Sequence, residues 1–230
     1  MAFLLGCTPQ KMASMSDEPP VQAKRDDVSE LSLDRAALAY LTGPTAPWSR
    51  LLAVSRQSAP EPPVRPKPVT AQHRSAALAK TLQKELEVDP RVASKVAPLI
   101  EKSAHKYNVP PSLIAAVVNR ETDFDNKKRS SAGAIGLAQI MPNIWGKECK
   151  GNLWQDSVNI DCSAKILSHY YELAGDWEQA LAFYNVGPGK YQRSPTARVV
   201  GHRYASSVMT SMSKIKEGRA MVLASIEQQR

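Results

Sequence analysis

The chain has 230 residues, a net charge of +8, 43% hydrophobic residues and 17 prolines. That length suffices for one sizeable core with extensions, and no apolar run approaches the ~20 residues a membrane-spanning helix needs, so no transmembrane segment is expected. The basic balance would suit nucleic acid, anionic lipid or another anionic polymer. Lys and Arg are scattered, however, the densest run is Lys127-Lys128-Arg129, and no aromatic-plus-basic stripe offers a base-stacking surface, so nucleic acid is not an expected partner.

Residues 1–30 are polar and predict an extended or disordered arm. The opening Met-Ala-Phe-Leu-Leu-Gly-Cys lacks a charged n-region and is too short for a secretory signal, although Leu-Leu-Gly-Cys has the look of a lipobox ending at Cys7. Leu31, Leu33, Leu38, Tyr40, Leu41, Trp48, Leu51, Leu52 and Val54 predict one or two short helices broken near Gly43-Pro44. The run from Ser58 to Thr70 is dense in proline and predicts a stiff linker. The expected division is therefore an arm over 1–70, a helical domain over 71–216 and a C-terminal helix or tail over 217–230.

Beyond the linker the pattern is helical throughout. Residues 72–87 suit a surface helix, and Val92, Val96, Leu99 and Ile100 mark an amphipathic helix to about Lys106. Pro110-Pro111-Ser112 signals a helix start, and Pro142 opens a short helical turn to Trp145. Ile166, Tyr170, Leu173 and Ala174 mark a further helix, closed by Gly175. Trp177, Ala180, Leu181 and Tyr184 mark the next, which Gly187-Pro188-Gly189 stops. Val200, Tyr204, Val208 and Met212 carry a long helix after Pro195, and a last short helix is expected over 219–228. Any sheet would be a small hairpin near 127–137. Cys149 and Cys162, thirteen apart, read either as a disulfide of an oxidising compartment or as two free thiols with Cys162 in the core. No Cys/His spacing suggests zinc, and neither a metal nor a cofactor is expected.

Three segments carry chemistry. Leu113, Val117 and Glu121 fall at i, i+4 and i+8, so the Glu121 carboxyl continues an apolar face. Burial raises a carboxyl pKa, and an acid still protonated near neutral pH can donate to a leaving group. An ion pair with Arg120 or a nearby Lys is the competing reading of that position. The second segment, Ser130 to Gln139, is a small-residue loop whose Gly133 and Gly136 allow unusual backbone angles. The third, Tyr184-Asn185, sits where a helix meets Gly-Pro-Gly.

Taken together, Glu121-Thr122, Gly133 to Pro142 and Phe183 to Gly189 resemble the ordered motifs of the soluble lytic transglycosylase family. The resemblance covers about residues 92–212, roughly half of the chain. It implies a mainly α, lysozyme-like domain, behind the flexible Pro-rich arm, that acts on peptidoglycan glycan strands. Glu121 matches the lone catalytic acid/base, which cleaves the MurNAc-β-1,4-GlcNAc bond and leaves 1,6-anhydro-MurNAc ends. Ser130, Gln139 and Tyr184 match residues that orient the acid or hold the sugar, and Met141 and Asn185 match cleft-lining positions. Thr122 stands for the family's usual Ser, Ala138 for a Met, and Phe183 and Val186 for small Ala residues.

Most glycosidases need two carboxylates at a set separation. Asp123, at i+2 from Glu121, points almost opposite it on a helix, and Asp125 lies where the helix should be ending. A one-carboxyl mechanism therefore fits best. A goose-type hydrolytic lysozyme and a catalytically decayed wall-binding virion protein are the alternatives. The expected setting is a phage particle acting in the host periplasm, with the arm contacting a virion or secretion-complex protein. A bacterial periplasmic enzyme, or a lipoprotein if the true start lies upstream of Cys7, is the other setting.

Overall fold

The computed structural model describes residues 68–229. The expected arm, its short helices and nearly all of the Pro-rich linker lie outside the described residues. Eight helices follow in order among those residues: α1 Ala71–Leu86, α2 Pro90–Tyr107, α3 Pro111–Thr122, α4 Pro142–Trp145, α5 Asp156–Ala174, α6 Trp177–Val186, α7 Pro188–Arg193 and α8 Pro195–Gln228. The described residues contain no strand. The mainly α reading therefore holds, and the segment where any small hairpin would have formed carries only isolated bridges, Arg129 with Ile135 and Ile135 with Ile140.

Local chemistry sets the helix ends. Asp89 accepts from the backbone N–H groups of Arg91 (2.8 Å) and Val92 (3.3 Å) ahead of α2, satisfying donors that a first turn leaves without partners. Asp176 does the same for Gln179 at α6 (2.9 Å) and Ser194 for Ala197 at α8 (3.2 Å). Prolines occupy the first turn of five helices, where a missing N–H costs nothing. Glu87, Asn108 and Asp123 end α1, α2 and α3 in the left-handed conformation, with φ of 55°, 53° and 55°.

α3 is the central helix. Every residue from Ser112 to Val118 is buried, so its apolar surface runs around the helix rather than along one stripe. α1 is not the surface helix its polar composition suggests. Ala77, Leu78, Thr81 and Leu82 are buried, and α1 packs against α2 and α8. The buried Thr81 is accommodated because its hydroxyl donates to Ala77 O at 2.8 Å.

α5 begins ten residues before the Ile166 stripe implies. Its first half buries Asp156, Asn159, Cys162 and Ser163, polar or small residues that hydrophobic periodicity does not register. The separate last helix expected over 219–228 is instead the end of α8, a single 34-residue helix. Ile215 and Gly218 are buried, and a Cβ on Gly218 would lie 3.0 Å from Thr81 Cγ2. The C-terminal third of α8 thus continues because α1 packs against it. Cys149 and Cys162 are joined, with Cα atoms 5.4 Å apart, linking the turn after α4 to α5. No described helix is long and apolar enough to cross a membrane.

Candidate active site

Glu121 occupies the last turn of α3, one residue before the helix ends. It is half-buried, and Tyr204 Oη, brought in by α8, donates to its Oε1 at 2.6 Å. Burial raises the Glu121 pKa, while the Tyr204 hydrogen bond and the Arg120 charge pull it back. The Arg120 guanidinium lies 5.9 Å from the centre of the Tyr204 ring, so it rests on the tyrosine rather than forming an ion pair with the carboxylate. With Oε1 engaged by Tyr204, Oε2 is the oxygen left to carry a transferable proton.

Next to Glu121, Thr122 is buried. Its Oγ1 donates to Leu137 O at 2.7 Å, with Val118 O at 3.3 Å. This contact ties the end of α3 to the Gly-rich loop, which is why a hydroxyl is needed there and why an added methyl is tolerated. Lys128 Nζ donates to Thr122 O at 2.6 Å, capping the free carbonyl end of the helix.

The loop is held by its own backbone. Ile135 and Ile140 exchange two hydrogen bonds of 2.9 and 3.0 Å, and Gly136 N donates to Lys128 O at 3.1 Å. Gly136 has φ +72°, and a Cβ there would lie 2.9 Å from Asn159 Cγ, so both the angle and the space call for glycine. Gln139 itself sits at φ 49°.

Tyr184 Oη, from α6, donates to Ala138 O at 2.8 Å and lies 3.4 Å from Ser163 Oγ. Burial and the Glu121 charge push its phenol above the ordinary tyrosine range. Tyr204 is pushed well above that range too, by burial first and then by Glu121. Both tyrosines are therefore neutral donors placed in the electrostatic neighbourhood of one acid.

The residues anticipated from sequence divide into two groups. Glu121 and Tyr184 come together with the loop around Ala138. Gln139 is half-buried, and its Nε2 is committed to Lys128 O and Gly136 O, both at 3.1 Å, leaving only its Oε1 for a ligand. Ser130 Oγ accepts from Ala134 N at 3.0 Å and so shapes the turn. Met141 is half-buried at the start of α4, and Asn185 is exposed at the end of α6. Asp123 is exposed and accepts from Asn119 Nδ2 at 3.0 Å. Asp125, also exposed, accepts from Lys127 N at 3.0 Å. Both neighbouring carboxylates thus have other work.

Sequence reasoning missed Tyr204 and Asn159. Tyr204 lies on an apolar stripe of α8, where a tyrosine reads as core. Its one signal was the lone hydroxyl among Val200, Val208 and Met212. Asn159 is 1% exposed, and its signal was an amide among buried positions of a helix.

This geometry sits within a recognisable domain. Residues 98–198 match the family model of the transglycosylase SLT domain. The motif resemblance is thereby borne out for the segment holding Glu121, the loop and Tyr184. Tyr204 lies six residues beyond the end of the matched SLT segment. Among curated proteins, the chain is 30% identical over 87 residues to the membrane-bound lytic murein transglycosylase C of Serratia proteamaculans, covering 33% of this chain and 24% of that one. It is 39% identical over 56 residues to its namesake in Haemophilus influenzae, covering 24% of this chain and 16% of the relative. To the transglycosylase of Enterobacteria phage PRD1 it is 32% identical over 88 residues, covering 38% of this chain and 33% of the relative. The chain spans a third or less of the length of these relatives.

Proposed function

We propose that the helical domain from α1 to α8 is a peptidoglycan lytic transglycosylase with Glu121 as its only acid/base. The observation that carries this reading is the Glu121 environment: a half-buried carboxyl with a raised pKa, engaged at one oxygen by Tyr204. Burial favours the protonated acid before reaction, and Tyr204 with Arg120 stabilises the anion once the proton has gone.

In the first step the C1–O4 bond between N-acetylmuramic acid and N-acetylglucosamine breaks, and Glu121 gives its proton to the departing oxygen. In the second, the muramic C6 oxygen forms a bond to C1 and its hydroxyl proton passes to Glu121. The proton count closes without water, and the product carries a 1,6-anhydro end. The substrate's N-acetyl group supplies the charge stabilisation that a second carboxylate gives in most glycosidases. The engagement of Asp123 and Asp125 elsewhere supports this one-carboxyl scheme.

Mass spectrometry of fragments released from purified peptidoglycan tests it. Anhydro ends are expected from the wild type and none from Glu121→Gln; hydrated reducing ends would instead make the domain a hydrolytic lysozyme. We further propose that the protein is a phage particle component acting on the wall in the host periplasm, a reading motivated by the phage relative. Its detection in purified virions checks that setting.

A further inference from the structure

We propose that two residues one turn apart on the buried face of α5 position Tyr184, Ser163 directly and Asn159 through Ala138. The inference rests on the lytic transglycosylase reading for its kinetic consequence but not for its geometry.

Asn159 is 1% exposed and Ser163 fully buried. Asn159 Oδ1 accepts from Ala138 N at 2.8 Å, and its Nδ2 donates to Leu153 O at 2.8 Å and Ile135 O at 3.0 Å. Those partners fix the amide orientation, since a flipped group would set its oxygen against two carbonyls and its NH2 against an N–H. Ala138 is therefore held at its N–H by Asn159, while its carbonyl receives the Tyr184 proton at 2.8 Å. Ser163 Oγ stands on the other side of the Tyr184 hydroxyl at 3.4 Å. α5 thus meets Tyr184 twice, once directly through Ser163 and once through Asn159 and the loop. A buried amide with both donors and its acceptor used is satisfied and rigid, and here it holds the Ala138 peptide in place.

The arrangement assigns different duties to two tyrosines. Tyr204 donates its hydrogen bond to Glu121, whereas Tyr184 donates to the Ala138 carbonyl. Asn159 is a positioning residue: it touches neither Glu121 nor, in this reading, the sugar.

Two measurements test the proposal. The first is independent of activity: the ring 13Cζ resonance of Tyr184, assigned by its loss in Tyr184→Phe, is followed in Asn159→Leu. A shift of that signal is expected, and an unchanged signal overturns the proposal. The second is a double-mutant cycle on a soluble peptidoglycan fragment. Tyr184→Phe and Asn159→Leu are each expected to lower kcat about tenfold with KM little changed, as for loss of a hydrogen bond felt mainly in the transition state. If Asn159 works through Tyr184, the double variant also loses about tenfold. A loss of about a hundredfold, the additive result, overturns the proposal. Should Asn159→Leu fail to fold, Ser163→Ala takes its place in both measurements under the same criteria. An inactive wild type with a shifted Tyr184 resonance would count against the enzymatic reading alone.

Discussion

To serve as the proposed acid, Glu121 must be protonated before reaction and tolerable as an anion in the middle of it. Burial serves the first requirement, and Tyr204 with Arg120 serves the second. Removing the Tyr204 hydroxyl should therefore move the Glu121 pKa further upward, because the lost hydrogen bond favours the charged form. In Tyr204→Phe the alkaline limb of the pH–rate profile, which reports the acid of the free enzyme in kcat/KM, is expected to shift to higher pH. The rate at the optimum should fall, since the carboxylate intermediate loses its donor. A profile that keeps its alkaline limb would contradict the role given to Tyr204. A stability prediction follows from the same raised pKa. A carboxyl whose folded pKa lies above its unfolded value binds its proton more tightly when folded, so the stability it contributes is complete at low pH and is lost as pH rises through the folded value. Glu121→Gln has no such loss. Its Tm should exceed that of the wild type near neutral pH, and the difference should vanish below about 4, the ordinary glutamate range. Thermal melts at the two pH values check this, and a variant less stable than wild type near neutrality would refute the burial argument.

Among the elements, the loop from Ser130 to Ile140 shows where sequence was legible and where it was not. Gly133 and Gly136 announced unusual backbone, and both have positive φ, +91° and +72°. No strand forms among the described residues, within the limit of a small hairpin at most; Gln139 turns back and donates its amide to Lys128 O and Gly136 O. Helix starts were readable where a proline or Asp marked them, as at α2, α3 and α6. The start of α5 was not readable, because Asn159 and Ser163 are buried for their hydrogen bonds rather than their hydrophobicity. Neither could a one-dimensional pattern bring Tyr204 to Glu121, 83 residues apart. The bridge between Cys149 and Cys162 was left open by sequence, since spacing alone does not decide pairing. It closes a loop with a sequence separation of 13, for which chain entropy gives about 3 kcal/mol. Replacing both cysteines by Ala, or adding reductant, should lower the free energy of unfolding by about that amount in denaturant titrations. The loop Cys149–Cys162 includes Leu153 and Asn159, so activity should fall more steeply with temperature than in the bridged protein. Identical denaturation curves with and without reductant would remove the bridge from the stability account.

For the helical body as a whole, α8 joins the site to its far support. Its first half brings Tyr204 to Glu121, a Cβ on its Gly201 would lie 3.0 Å from Ala182 Cβ in α6, and its second half lies on α1 through Ile215 and Gly218. Near that end Arg219 Nη2 meets Glu101 Oε1 of α2 at 2.6 Å, with side chains only 19% and 12% exposed. Arg219 Nε is buried there without a hydrogen-bond partner among the described residues. The pair is therefore imperfectly satisfied, and its two failure modes differ. Removing one partner strands a desolvated charge, whereas replacing both with apolar groups of similar volume removes the desolvation cost with the attraction. Arg219→Met, which keeps the aliphatic stem, should cost about 2 kcal/mol in chemical denaturation because Glu101 is left facing no cation. Adding Glu101→Leu to that variant should restore most of the loss. Peptidoglycan cleavage well below the melting temperature should change little in either variant, since Tyr204 and Glu121 are untouched. If the double variant is instead less stable than the single one, the ion pair is a net stabiliser. The C-terminal third of α8 would then be held to α2 by charge as well as to α1 by close packing.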